Sequence, residues 1–152
     1  MHEQNVEKRA IPLMPLFLIN TGSPATTTGQ CVEKVAPYFK SAQLRADFAA
    51  VTKSMDAALR SQSFEKMCEA VQENHRLLLH IGVVPHPVQQ FISRVESIQG
   101  AAKICGAGAV LGDSAGALLV LTQEKEALSS LCHRFNYKMM PIAGDVRGIH
   151  AA

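Results

Sequence analysis

Apolar residues recur along the chain with two different periods, and the change of period predicts the order of its elements. A short apolar run over residues 13–19 precedes the polar turn 20–24 and predicts a buried strand. Residues 26–98 carry four helical patterns. The remaining predictions are strands over residues 101–105 and 117–122, a helix over 124–135 and an edge strand over 138–142.

The four helical patterns each repeat apolar residues three or four positions apart on one face. Local signals mark the ends of two of these helices. Ser63 can cap the third helix, Gly82 follows it, and Pro87 suits the first turn of the fourth. The four stripes are Cys31, Val32, Val35 and Phe39; Leu44, Phe48, Val51, Met55 and Leu59; Phe64, Met67, Cys68, Val71, Leu78 and Leu79; and Val88, Phe91, Ile92, Val95 and Ile98.

The order of the elements predicts the fold class. Few helices separate the later strands, so we expect a mostly antiparallel sheet with helices on one face, an α+β architecture. The length of 152 residues suits one domain, and the apolar fraction of 47% suits a packed core. We expect residues 1–10 to be a disordered tail and residues 11–152 to form the domain.

Composition excludes several function classes. The net charge is +2 without a basic stripe, which argues against nucleic-acid binding. No apolar run approaches the ~20 residues of a membrane span, and the polar N-terminus lacks the core of a signal peptide, so we expect a cytoplasmic protein. The four cysteines contain no C-x-x-C pair, which predicts reduced thiols rather than disulfides or a zinc site.

The most informative segment is the glycine-rich run over residues 103–116, which lies between two predicted strands. Glycine admits positive φ and close backbone approach, so such a loop can turn its N–H groups toward a phosphate. The spacing matches neither a P-loop nor a Rossmann fingerprint. The alternative is a hairpin connection that binds nothing.

A second hydroxyl-rich turn, residues 20–28, precedes the first helix. Free N–H groups and the dipole at a helix start favour an anion. The alternative is that the threonines only cap the helix and start the turn. If the two turns lie on neighbouring strands they can converge, which favours a binding site.

Single polar residues carry weaker signals. Lys103 could face a phosphate or be a solvated strand residue, and Asp113 could bind a ligand or simply favour the turn. Glu73, His75 and His80 do not have zinc-ligand spacing, which indicates packing and capping roles.

Three segments, taken in order, resemble the GHMP kinases, the family of galactokinase, homoserine kinase, mevalonate kinase and phosphomevalonate kinase. Lys103-Ile-Cys-Gly-Ala-Gly108 resembles the motif K-x-x-G-A-G, and the segment 73–83 resembles the N-x-x-L-L-x-x-x-G-V segment of mevalonate kinases. The segment 18–28 is similar to the strand and Ser/Thr loop that opens the family's C-terminal domain. The resemblance runs from about residue 15 to residue 122 and implies that domain, a ferredoxin-like α/β sandwich.

The resemblance also implies site residues. On the phosphate side they are Lys103, Gly106, Ala107, Gly108, Gly112 and Asp113, and on the substrate side Thr26, Thr27 and Thr28, of which Thr28 best matches the family threonine. No catalytic residue and no metal ligand is expected in this chain. The family's ATP loop, P-x-x-x-G-L-G-S-S, and its catalytic Asp and Lys belong to an N-terminal domain and are not found here.

The function implied is that of a mevalonate kinase-like enzyme, which phosphorylates mevalonate with ATP and Mg²⁺ in isoprenoid precursor synthesis. The expected partner is the missing N-terminal domain, without which the chain should be inactive. The loop after Gly108 departs from the G-A-G-G-G-G-C of mevalonate kinases, so phosphomevalonate kinase and diphosphomevalonate decarboxylase stay open. A non-catalytic binding or assembly module of the same fold, including a homodimer, is the alternative from another class.

Overall fold

A computed structural model describes residues 9–144 of the chain. Within them, five α-helices and a short 3₁₀ turn, Tyr38–Lys40, accompany four strands. The elements in chain order are β1 Leu16–Asn20, α1 Thr28–Val35, α2 Ala42–Ser61, α3 Phe64–His80, α4 His86–Ser97, β2 Ala101–Ile104, β3 Ala117–Leu121, α5 Lys125–Phe135 and β4 Lys138–Ile142. The predicted elements are thus present, with their ends moved by a few residues.

The four strands form one antiparallel sheet in the order β2-β3-β1-β4. With helices between β1 and β2 and between β3 and β4, this is the ferredoxin-like arrangement, and it confirms the predicted α+β fold. The register places Asn20 opposite both Ala117 and Lys138, and Ile104 opposite Leu118. The loop after β1, the loop between β2 and β3 and the turn before β4 therefore lie at one end of the sheet.

Side chains alternate between the two sheet faces, and each face has its own apolar cluster. Helices α4 and α5 cover one face, where Phe17, Ile19, Leu118, Val120 and Ile104 pack against Val88, Phe91, Ile92, Leu128 and Leu131. The other face meets the α2–α3 pair near its β2–β3 edge, through Ala101, Leu121, Ala58, Met67 and Val71. Helices therefore lie against both faces of the sheet, not on one face alone as expected from the order of elements, and the second face is covered only in part.

The helix ends follow the local signals in the sequence. Thr27 caps α1 and Ser63 caps α3 through side-chain bonds to backbone N–H groups. Three stripe residues differ from the prediction, since Val32 is 57%, Phe39 is 37% and Leu79 is 40% exposed. Phe39 lies in the 3₁₀ turn beyond the end of α1. Val32 and Leu79 lie at the border of their apolar stripes, where the 3.6-residue period does not decide burial alone.

The predicted tails fall mostly outside the described residues. Residues 1–8 and 145–152 lie outside the described residues. The disordered tail over residues 1–10 therefore stays a prediction. Arg9 and Ala10 contact α2, because the Arg9 guanidinium pairs with Asp56 and the Gln62 amide donates to the carbonyl of Ala10 at 3.4 Å. None of the helices in the described residues combines the length and the apolar character that a bilayer crossing needs.

Candidate functional site

The loop after β1 is joined to the glycine-rich loop by a group of buried hydrogen bonds, which we call the Thr21 latch. The N–H and the hydroxyl of Thr21 both donate to the carbonyl of Gly116 at 2.9 Å. The same hydroxyl accepts from the N–H of Ala115 at 2.9 Å, and the Ser114 hydroxyl donates to the carbonyl of Thr21 at 2.9 Å. Thr21 is only 6% exposed, so water does not compete freely for these groups.

Thr26 makes a second connection between the two loops. Its hydroxyl accepts from the N–H of Val110 at 3.3 Å and lies 3.5 Å from the Cys31 sulfur. The Cys31 thiol in turn lies 3.7 Å from the carbonyl of Gly108. Both side chains are buried. Thr26, predicted on the substrate side, therefore has its hydroxyl engaged in holding the glycine-rich loop.

The other two predicted threonines differ in what their hydroxyls do. Thr27 is the N-cap of α1, where its side chain accepts from the N–H of Gln30 and the Gln30 side chain accepts from the N–H of Thr27 at 2.8 Å. Thr28 is the first residue of α1 and is exposed. Within residues 9–144, neither its hydroxyl nor the N–H groups of Thr28 and Gly29 have a hydrogen-bond partner. These donors are available to a ligand.

Gly106 and Gly108 have nearly the same φ but different surroundings. Their φ values are +72° and +69°. A Cβ on Gly108 would lie 2.2 Å from the carbonyl oxygen of Val83, whereas a Cβ on Gly106 would meet nothing within 4 Å. The Val83 carbonyl also accepts from the N–H of Ala109 at 3.0 Å. Gly108 therefore fits the loop against the α3–α4 turn, and Gly106 faces open space.

The amides beside that open space are unused. In the described chain, the N–H groups of Gly106 and Ala107 have no hydrogen-bond partner, and Gly106 is exposed. Unpaired N–H groups in a glycine turn, close to the N-terminus of a helix, make a site that favours an anion. The geometry therefore supports anion binding at this end of the sheet.

The far half of the glycine-rich loop lies against the first loop and near the turn before β4. Gly112 has φ +81°, and a Cβ on it would approach the Cβ of Ala25 to 2.8 Å. Asp113 is exposed, and its side chain has no hydrogen-bond partner in the described residues. Burial and, secondarily, the Asp113 charge raise the pKa of Tyr137.

Comparisons with known proteins locate this arrangement in a known fold. No family model and no curated protein matches the sequence. Solved structures do match it: the Lin0012 protein of Listeria innocua has a TM-score of 0.76 at 18% identity, over 91% of this chain and 42% of that one. The phosphomevalonate kinase of Streptococcus pneumoniae, solved with phosphomevalonate and AMPPNP, has a TM-score of 0.73 at 16% identity, over 86% and 41%. The fold is that of a GHMP kinase C-terminal domain.

A third solved structure agrees with this result. The mevalonate kinase of L. major, in complex with R-mevalonate, has a TM-score of 0.71 at 16% identity, over 86% of this chain and 43% of that one. The chain therefore spans about two fifths of the length of these three structures. The resemblance stated from the motifs is confirmed for the fold.

Lys103, the first residue of the GHMP-like motif, lies in β2, one residue before the strand ends at Ile104. Its neighbours Ala102 and Ile104 are buried on the face that α4 and α5 cover. The Lys103 side chain is on the other face, where its ammonium donates to the carbonyl of Ile104 at 2.9 Å and borders a cavity beside α2 and α3.

A resident metal does not fit this site. In residues 9–144, no three His, Cys, Asp or Glu side chains come together to hold an ion. Glu73 pairs with Arg76 at 3.0 Å, and His75 is buried in α3. Asp113 is the one acidic side chain in the glycine-rich loop.

Sequence reasoning missed the residues that connect the loops. Thr21, Ser114, Cys31 and Val83 carry the contacts described above. A buried hydroxyl at the end of a strand is a weak signal in a sequence, because the same residue type also starts ordinary turns. The contact between Val83 and the loop involves a backbone carbonyl. Every residue type has such a carbonyl, so the sequence cannot indicate this contact.

Proposed function

We propose that this chain is the C-terminal domain of a mevalonate kinase-like GHMP enzyme, which transfers the γ-phosphoryl group of ATP to the hydroxyl of mevalonate. The observation that carries the proposal is the set of unpaired N–H groups at Gly106 and Ala107. Thr26 and Cys31 hold this part of the loop near the start of α1. Phosphoryl transfer depends chiefly on positioned donors around the phosphates, and this end of the sheet supplies such donors.

The proposed roles follow from which groups are free. Gly106 and Ala107 would direct their amides at the nucleotide phosphates, and Thr28 would direct its hydroxyl at the phosphoryl acceptor. Thr27 and Thr26 would support them, because their hydroxyls already bond within the protein. Asp113 and Gly112 would form the outer part of the same loop.

The proposed reaction needs a second protein domain. The ATP loop and the catalytic Asp and Lys expected for the family are not in this sequence. Since the described residues hold no metal cluster, the Mg²⁺ that accompanies ATP would be bound by the phosphates and that other domain. We therefore propose that the isolated chain is inactive, and that the complete enzyme works in the cytoplasm.

Titration of the isotopically labelled chain with AMPPNP tests the phosphate site. The expected result is that amide signals of Gly106, Ala107 and Thr28 shift most. G106A should weaken binding, because a methyl group would take up part of the open space beside Gly106 and a residue with a Cβ disfavours its positive φ. G82A is the matched control, since Gly82 also has positive φ and open surroundings but lies in the α3–α4 turn. Shifts confined to other parts of the chain would contradict the assignment.

A turnover assay tests the need for the second domain. The chain with ATP, Mg²⁺ and mevalonate should produce no ADP above background. Robust turnover by the chain alone would refute the two-domain proposal. When the complete enzyme is assembled, mevalonate, phosphomevalonate and diphosphomevalonate should be compared, because the altered loop after Gly108 leaves the substrate open among them.

A second candidate is a non-catalytic binding or assembly module. The observation that favours it is exposed apolar surface on the elements of the site, where Leu111 is 67% and Val32 is 57% exposed. Light scattering after size exclusion distinguishes the two ideas. A stable dimer that buries Leu111 and excludes AMPPNP would favour the module over the kinase domain.

A further inference from the structure

The proposed phosphate site gives no role to the side chain of Lys103. Strand alternation puts its side chain on the sheet face opposite α4 and α5, together with Leu119, the residue paired with it on β3. The α2–α3 pair stands over this part of the sheet. Between the helices and the two side chains is an open cavity of about 430 Å³.

The walls of this cavity are mainly apolar. Met55 and Leu59 of α2, Val71 of α3 and Leu119 of β3 contribute hydrocarbon surface. A volume of this size lies within the range of small-molecule sites, which are typically apolar with a few polar groups that fix orientation. The cavity therefore suits a ligand with a hydrocarbon body.

The cavity wall carries one ammonium group, that of Lys103, which is not paired with a carboxylate in the described residues. In the described residues Lys103 has no carboxylate partner, and its ammonium uses one donor on a backbone carbonyl. Asp56, the acid in the cavity wall, pairs with Arg9 and with Arg60, and these hydrogen bonds lower its pKa to about 2. The Asn74 amide has no hydrogen-bond partner within residues 9–144 and also borders the cavity.

We propose that this cavity is a second binding site, which takes a small amphipathic anion. Its carboxylate or phosphate head would bond to the ammonium of Lys103 and the amide of Asn74, and its hydrocarbon body would lie between α2 and Leu119. The charge complementarity and the apolar walls argue for this class of ligand. The proposal does not depend on the kinase assignment, because the cavity lies beside α2 and α3 and its lining does not include Gly106, Ala107 or Thr28.

Titration of the methyl-labelled chain with octanoate tests the proposal, with octan-1-ol as the uncharged counterpart. The methyl signals of Met55, Val71 and Leu119 should shift with octanoate, and octan-1-ol should bind more weakly. K103M should weaken octanoate binding about tenfold or more, because it removes the charge and keeps the apolar stem. K53M is the matched control, since Lys53 is an exposed lysine of α2 outside the cavity wall.

If K103M does not fold, a variant that fills the cavity still tests the proposal. T52F places a large ring in the cavity from the exposed surface of α2 and leaves Lys103 in place, so octanoate binding should be lost. Equal binding of octanoate and octan-1-ol, an unchanged dissociation constant in both variants, or shifts located elsewhere would overturn the proposal. Displacement of octanoate by AMPPNP would also overturn it, because the cavity would then belong to the nucleotide site. A failure of AMPPNP to bind at all leaves the octanoate result unaffected.

Discussion

The loop end of the sheet and the α2–α3 pair are held together in different ways. The two loops are joined through a few polar atoms of residues far apart in the chain, 84 positions apart for Thr26 and Val110 and 95 for Thr21 and Gly116. The α2–α3 pair is held by apolar stripes, and each helix is capped by a serine that accepts a hydrogen bond from the N–H three residues later. Stability should therefore depend on single atoms at the loop end and on distributed burial in the helices.

The largest expected effect is that of G108A at the loop end. The new Cβ would lie 2.2 Å from the backbone oxygen of Val83, and the positive φ adds strain for any residue with a Cβ. We expect a loss of about 3 kcal/mol in the free energy of unfolding. Urea denaturation of the isolated chain measures it.

G106A is the control for that change. Its φ is nearly the same, but the added methyl meets nothing, so only the conformational strain of about 1 kcal/mol remains. Equal losses in the two variants would show that the close fit against Val83 is unimportant. The loop end would then not be held by specific atoms, and the comparison with the helices would fail.

The next effect is that of T21V, which keeps the shape of the side chain and removes its hydroxyl. The N–H of Ala115 would be left buried without a partner, and we expect a loss of about 2 kcal/mol. Hydrogen exchange should show faster exchange at the amide of Ala115, whereas the helix amides of α3 should keep their order of protection.

Two variants accompany T21V. T21S retains the hydroxyl and should recover most of the lost stability. T28V removes an exposed hydroxyl without a partner in the described residues, and should change stability by no more than about 0.5 kcal/mol. If T28V were as destabilising as T21V, the latch would have no special role in joining the loops.

The same contrast explains what could be predicted from the sequence. The stripes of α2 and α3 and the caps Ser63 and Thr27 depend on neighbours within four residues, so their pattern is visible in the chain. The glycine-rich loop could be recognised by its composition and by its resemblance to GHMP kinases. Its proximity to the Thr-rich turn was expected only on condition that their strands are neighbours, and β1 and β3 are indeed paired.

The remaining details could not be predicted, because they depend on pairs of residues that no local period connects. Nothing in the residue types distinguishes the engaged hydroxyls of Thr21 and Thr26 from the free hydroxyl of Thr28. Similarly, the motif does not show that the Lys103 side chain borders a cavity beside α2 and α3, because that depends on strand alternation and on helices distant in sequence. The roles of the site residues in catalysis stay predictions.

The smallest expected effect concerns His75, where the α2–α3 region itself depends on one atom. His75 is 7% exposed, and its Nδ1 has no hydrogen-bond partner in the described chain. Burial, and then the charge of Arg76, lower the pKa of His75 below its usual value of about 6.5. As the pH falls through about 6.5, His75 therefore becomes protonated in the unfolded chain while it is still neutral in the folded chain. Stability should fall as the pH drops below about 6.5, and should stop falling once the pH passes the lower pKa of the folded state.

H75L removes both the titration and the unpaired nitrogen. At pH 7.5 it should leave the free energy of unfolding nearly unchanged or slightly higher, and between pH 7.5 and 5.5 it should lose less stability than the unaltered chain. H80Q is the control, because His80 is exposed on the same helix and has its ring against Tyr38. Urea denaturation at a series of pH values checks both. If H75L followed the same pH dependence as the unaltered chain, the buried histidine would not be the source of acid sensitivity, and the helical pair would depend on distributed burial alone.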